Sequence, residues 1–200
     1  MSSQRAQQKK LEKKKKQRLA AQAQRRAATA GPPSLNVALR QAAAAPFGRA
    51  FMSASWRSEE PELVTVVMTR TLADGSLVAG MVLVDRTCLG VKNGFAKYLE
   101  LPIALEALVA DIGDAHESEM EEVSVLEAQS VVFSAIDYAK SLGFAPHRDF
   151  PEAVFGPRPD ALLDTPLARP ERPLYIPGPT DDVVRIMRTI EPKGGVLLGG

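Results

Sequence analysis

The sequence predicts an α/β fold of the α+β kind: one domain with a mixed or antiparallel sheet flanked by helices, preceded by a basic N-terminal arm. Three observations carry this prediction. Residues 63–71 and 77–86 are two strand-like runs rich in β-branched or apolar side chains, separated by Asp74-Gly75, a hairpin-turn dipeptide. Residues 125–142 repeat apolar side chains at helical intervals between a capping signal and a glycine. The first thirty residues carry six Lys and four Arg against one acid, a local charge of +9, and no apolar stripe.

The arm opens the chain. Residues 4–30 are rich in Ala, Gln, Lys and Arg, all good helix formers, yet Leu11 and Leu19 are the only large apolar residues there. A fluctuating helix or disordered segment follows, with nothing to pack against a core. Gly31-Pro32-Pro33 ends it, because proline disfavours helical backbone in the residue before it and lacks a donor. This places the arm and its linker at residues 1–33 and a single domain at 34–200. Ser34 caps a short Ala-rich helix that Pro46 stops.

In the hairpin the second strand is apolar on both faces and reads as central; the first alternates less completely and reads as nearer an edge. Leu101, Leu105, Leu108 and Val109 form a partial helical stripe before an acidic stretch over 111–122, whose run 111–117 around His116 reads as solvated loop. Ser124 and Glu127 have capping-box spacing, and Val125, Ala128, Val132, Ala135, Ala139 and Leu142 recur until Gly143 stops the helix. Most of the chain's fifteen prolines lie in residues 146–179, which predicts ordered coil with a short edge strand at 174–176. Thr180-Asp181-Asp182 caps a last helix over 181–190, with Val183, Ile186, Met187 and Ile190 as its buried stripe.

Composition is ordinary for one globular domain of 200 residues, at 45% hydrophobic and 24% charged. The net charge of +1 conceals a division, because residues 31–200 hold 15 basic and 23 acidic side chains and carry −8. Cys88 is the sole cysteine, which excludes an intramolecular disulfide framework and a cysteine-built zinc site, and makes a reducing, cytoplasmic setting the expectation. No apolar run approaches the ~20 residues needed to cross a bilayer, so no membrane partner is expected.

Two stretches concentrate chemistry: the strand end Asp85 to Lys92, and the helix-exit loop Gly143 to Phe150. One reading makes Cys88 a nucleophile with His147 as base and Asp149 or Asp85 as orienter, because a thiol needs a nearby base or positive charge to ionise near neutral pH. Its competitor makes Cys88 a small buried apolar side chain. A second reading gathers Asp85, Glu127 and Asp149 as Mg²⁺ ligands of a hydrolase or metal-dependent nuclease, since such sites hold metal with a few carboxylates. Against it, Asp85 can pair with Lys92 or cap a turn, Glu127 already serves a capping box, and Asp149 can anchor the loop after Pro146.

The strings V-D-x-x-C-L-G-V-K, here residues 84–92, and Y-A-x-x-L-G-F-x-P-H-x-D-F, here residues 138–150, resemble an uncharacterised bacterial protein family. The likeness spans roughly residues 60–190, includes Tyr175-Ile176-Pro177-Gly178-Pro179 and excludes the arm. Thr87 stands where that family often has an aromatic, and Asn93 where it often has Asp. The resemblance implies a shared fold and no particular chemistry.

The arm is the stronger functional signal. Lys9, Lys10, Lys13, Lys14, Lys15, Lys16, Arg18, Arg25 and Arg26 can neutralise several phosphates and release their counterions, giving salt-sensitive affinity for RNA, ribosomes or DNA. The arm has no aromatic side chain to stack on bases, so it would position the protein without reading sequence. An arm that only solubilises, and a body that is a structural or protein-interaction module, are the competing expectations.

Overall fold

The computed structural model describes residues 31–166 and 170–198. Four strands, β1 (Phe47–Ser53), β2 (Leu63–Thr71), β3 (Leu77–Asp85) and β4 (Gly90–Leu99), run as an antiparallel meander, and β5 (Met120–Val123) adds antiparallel to β1. The sheet order is β4-β3-β2-β1-β5. At the predicted hairpin, Gly75 takes a φ of 88° and its N–H bonds to Leu72 O, while the Asp74 carboxylate accepts from the Ser76 backbone and hydroxyl. A left-handed residue after a type I turn suits Gly, which has no Cβ to clash.

The observed sheet is larger than the sequence suggested. β2 lies between β3 and β1 and its seven middle residues are buried, so it is an interior strand and not one near an edge. β1, β4 and β5 escaped the sequence reading. β4 contains Lys92, Asn93, Gly94 and Lys97, residues that propensity places outside strands but that an edge position tolerates. β5 is M-E-E-V, largely drawn from the acidic stretch, and residues 111–115, expected as loop, instead end the helix Ala104–Ala115, where Ile112 is buried. Its pairing with β1 comes with ion pairs from Arg49 to Glu106 and Glu122, and from Arg57 to Glu121, which offset the crowding of acids.

Helices cover both faces. Helix α1 (Leu35–Ala42) agrees with the segment that Ser34 opens. Helix α2 (Ala104–Ala115) sets Leu105, Leu108, Val109 and Ile112 against Phe51, Val67, Ala79 and Met81 of the sheet. On the other face, α3 (Val125–Leu142), α1 and the single-turn α4 (Glu152–Phe155) close over Met52, Val66, Met68, Val82 and Val84. Burying each such side chain stabilises the fold by about 1.5–3 kcal/mol, which makes this layer the main source of stability. α3 has both predicted ends: Ser124 and Glu127 form the reciprocal capping box, and Gly143 closes the helix at φ 99°.

The described part of the proline-rich segment is coil around α4, as its composition predicts. The chain then builds a C-terminal lobe. β6 (Leu174–Tyr175) pairs in parallel with β7 (Val196–Leu197), and between them lie α5 (Val183–Ile190) and a 3₁₀ turn at Glu191–Lys193. Asp182 caps α5 by accepting from the Arg185 N–H, so the helix begins two residues later than its sequence signal suggested. Among the described residues, no helix is long and apolar enough to cross a membrane.

Candidate functional site

Strand β3 ends in a tight polar turn. The Asp85 carboxylate accepts from the Thr87 N–H at 3.0 Å and sits 3.1 Å from the Thr87 hydroxyl, an arrangement that folds the chain back toward β4. Gly90 completes the turn at φ 69°, and a Cβ there would stand 2.9 Å from the Ala139 Cβ and 3.1 Å from the Ala135 carbonyl. Only glycine combines that backbone with so close an approach to α3.

The turn sets Cys88 facing the lobe. Its side chain is fully buried with Leu142, Tyr175, Ile186 and Ile190, forming a small apolar cluster of its own. Burial pushes the thiol up to about 12, the nearby Asp85 adding to the effect. At neutral pH the group is a protonated, inaccessible thiol, which is the packing role and not the state a nucleophile needs. Asp85 is equally buried; desolvation holds its carboxyl above the usual range, and its Oδ2 has no hydrogen-bond partner among the described residues. Tyr138 of α3 borders the same turn, its hydroxyl raised by burial and by the neighbouring Cys88 and Asp85.

Lys92 does not pair with Asp85. Its ammonium reaches into the lobe, donating to the Ile176 carbonyl at 2.6 Å and lying 2.8 Å from Asp181 Oδ2. The same carboxylate oxygen accepts from the Tyr175 hydroxyl at 2.9 Å and the Gly178 N–H at 2.8 Å. Burial opposes ionisation of Asp181, but these hydrogen bonds and the Lys92 charge outweigh it, so its carboxyl lies below the ordinary value. The Tyr175 hydroxyl is raised by burial and by donating to Asp181. The three strings singled out in the sequence thus meet here: Asp85, Cys88 and Lys92 from the first, Tyr138 and Leu142 from the second, and Tyr175 and Gly178 from the third.

The second predicted group fares differently. The His147 N–H bonds to the Val91 carbonyl, so the helix-exit loop does run beside β4. His147 Nδ1 accepts from the Asp149 N–H at 3.3 Å, and Asp149 Oδ2 lies 3.7 Å away, too far for the bond that would orient a catalytic imidazole. Both side chains are solvent-facing while Cys88 is sealed inside, and among the described residues no hydrogen bond links Cys88 to His147 or Asp149. Glu127 is occupied by the capping box, which keeps its carboxyl below the ordinary value through the Ser124 hydrogen bonds. The expected Mg²⁺ set of Asp85, Glu127 and Asp149 does not come together: among the described residues no three His, Cys, Asp or Glu side chains group as a metal site would require. The basic arm, residues Lys9 to Arg26, lies outside the described residues.

Two residues that the sequence reading passed over are the buried arginines. Arg86 donates through Nη1 to the Trp56 and Pro166 carbonyls and through Nη2 to those of Ser55 and Ser58. Arg70 bonds the Val154 and Ala45 carbonyls and stacks 3.4 Å above the Phe47 ring. Neither has a carboxylate among these partners. Both tie segments outside the sheet to it, and an Arg in or directly after an apolar strand was the available signal. A surface depression of about 1270 Å³ runs beside α3, with Asp137, Tyr138, Arg158, Arg172 and Leu174 on its walls. Asp137 and Arg158 pair with each other there at 2.8 Å, so those two charges are already matched.

Comparison with protein-family models, curated proteins and solved structures found no match to this chain.

Proposed function

We propose that this protein is an accessory protein that associates with nucleic acid, either RNA, free or in ribosomes, or DNA, through the basic residues of its N-terminal arm. The observation that carries the reading is the segregation of charge: ten of the chain's 25 basic residues stand in the first thirty positions, ahead of a body of charge −8. An anionic body is itself repelled by phosphate, so binding must depend on the arm and must weaken steeply with salt. Phosphate contacts of this kind carry affinity without base specificity.

The test is the binding of a fluorescent single-stranded RNA and of a DNA duplex to the full chain and to a variant with Lys13, Lys14, Lys15 and Lys16 all changed to Gln. The variant should bind more weakly, and its log–log salt dependence between about 50 and 200 mM should be shallower by roughly 0.7 per lost contact on single strands. Equal affinity and slope for the two proteins would refute the reading.

The hydrolase or nuclease alternative around Asp85, Cys88, His147 and Asp149 has weaker support, since the thiol is sealed and protonated and the carboxylates are dispersed. A purely structural or protein-interaction role is what remains should the arm not bind nucleic acid.

A further inference from the structure

The seam between the C-terminal lobe and the body differs from the rest of the interior. Its apolar part has five buried side chains, against twenty in the main cluster under α3. Its polar part is specific: Leu174 N–H to Thr87 O at 3.0 Å, the Thr87 hydroxyl to Leu174 O at 2.7 Å, Lys193 Nζ to Leu142 O at 2.7 Å, and the Lys92–Asp181 bridge. Among the described residues β6 and β7 pair only with each other, so parting the lobe from the body breaks no ladder of the five-stranded sheet. The side-chain exposures of Lys92 and Asp181 are 5% and 16%, which makes their bridge the one buried ion pair across the seam among the described residues.

We propose that residues 174–198 form a cover, latched by the Lys92–Asp181 bridge, that releases as a unit while the sheet stays folded and so uncovers Cys88 and Lys92. Cooperative release of a small unit below the global unfolding free energy is ordinary protein behaviour, and the unit is set by where packing is thinnest. Closed, the cover keeps the thiol protonated and out of reach. Open, it returns the thiol to water, where its pKa falls toward the usual ~8.5 and it reacts as thiolate. The lobe thereby governs the chemistry of the chain's single cysteine.

Cys88 also provides the probe, because any thiol reaction reports this seam. In the full chain, the thiolate attacks the disulfide of dithionitrobenzoate and releases one coloured thiolate, so the rate is read directly in increasing urea. Well below the unfolding transition the wild-type rate should depend only weakly on urea. Asp181→Asn should raise it at least ~10-fold, since removing one partner of a buried pair strands the other. Leu108→Ala, which opens a cavity on the opposite sheet face, should leave it within about twofold, because that packing survives when the cover opens. Ile186→Ala, which trims the lobe side of the seam, should accelerate it as well and serves if Asp181→Asn does not fold. The proposal is overturned if labelling is absent below the transition or shows the urea slope of global unfolding. It is equally overturned if Leu108→Ala accelerates labelling as much as the seam variants do, or if the seam variants leave the rate unchanged.

Discussion

The central sheet and the C-terminal lobe hold together by different physics. The sheet is apolar on both faces and closed by helices, so its stability is spread over many small contributions from Val, Met, Ala and Phe side chains. The lobe encloses a handful of apolar groups and relies on directional bonds: a threonine to a carbonyl, a lysine to a carboxylate, a tyrosine hydroxyl to the same carboxylate. Diffuse packing degrades gradually when trimmed, whereas a seam of directional bonds is sensitive to single atoms. The charged residues follow the same division. Arg70 and Arg86 staple the body by donating to backbone carbonyls, while Lys92 fastens the lobe through a paired carboxylate.

Three substitutions would break or sharpen the contrast. The largest effect is expected for Phe155→Ala: the ring is fully buried between α4 and the sheet, so urea unfolding should show a loss of about 3–5 kcal/mol with an unchanged denaturant slope. A loss no larger than that of Ile186→Ala in the lobe would contradict the ranking of the two regions. Arg86→Met keeps the apolar stem but leaves the Trp56, Pro166, Ser55 and Ser58 carbonyls without their donor. The expected loss, by thermal or urea unfolding, is about 2–4 kcal/mol, unless water replaces the guanidinium; a neutral result would show that the staple is dispensable.

The third concerns pH. Asp85 has a folded-state pKa above its unfolded one because burial disfavours its charged form. Its contribution is therefore fully present below the unfolded value of about 3.9 and is lost as pH rises through the folded value. Asp85→Asn cannot ionise, so urea midpoints should move in favour of the variant as pH climbs above about 4. Asp181 runs the other way: its folded pKa is depressed, and its contribution is present above about 4 and lost on acidification. A wild-type to Asp85→Asn difference that stays flat with pH would mean that the buried carboxylate is solvated or paired after all.

Legibility followed the range of each signal. The capping box at Ser124 and Glu127, the stop at Gly143, the Asp74-Gly75 turn and the stripe of α5 are local, and each was readable because a few adjacent residues determine it. β1, β4 and β5 were not readable, since each owes its strand state to a partner strand: F-G-R-A-F-M-S and M-E-E-V pair with each other, and G-V-K-N-G-F-A-K-Y-L is held at an edge by β3. The candidate site divided in the same way. Its residues were picked out as notable from their strings, and two of the non-catalytic expectations agree with the structure: Cys88 is a buried apolar side chain and Asp85 caps a turn. The pairings did not follow, since Lys92 turned to Asp181 and not to Asp85, and Cys88 has no hydrogen bond to His147 among the described residues.

By itself the sequence determined the helix and hairpin limits set by caps and turns, the concentration of net positive charge in the leading segment, and the chemistry available at each position. Tertiary structure alone decided which groups are sealed from water and which charges find each other. Burial and pairing are properties of segments brought together from far along the chain: the lobe must close over the β3–β4 turn before a thiol becomes inert or a lysine finds its carboxylate.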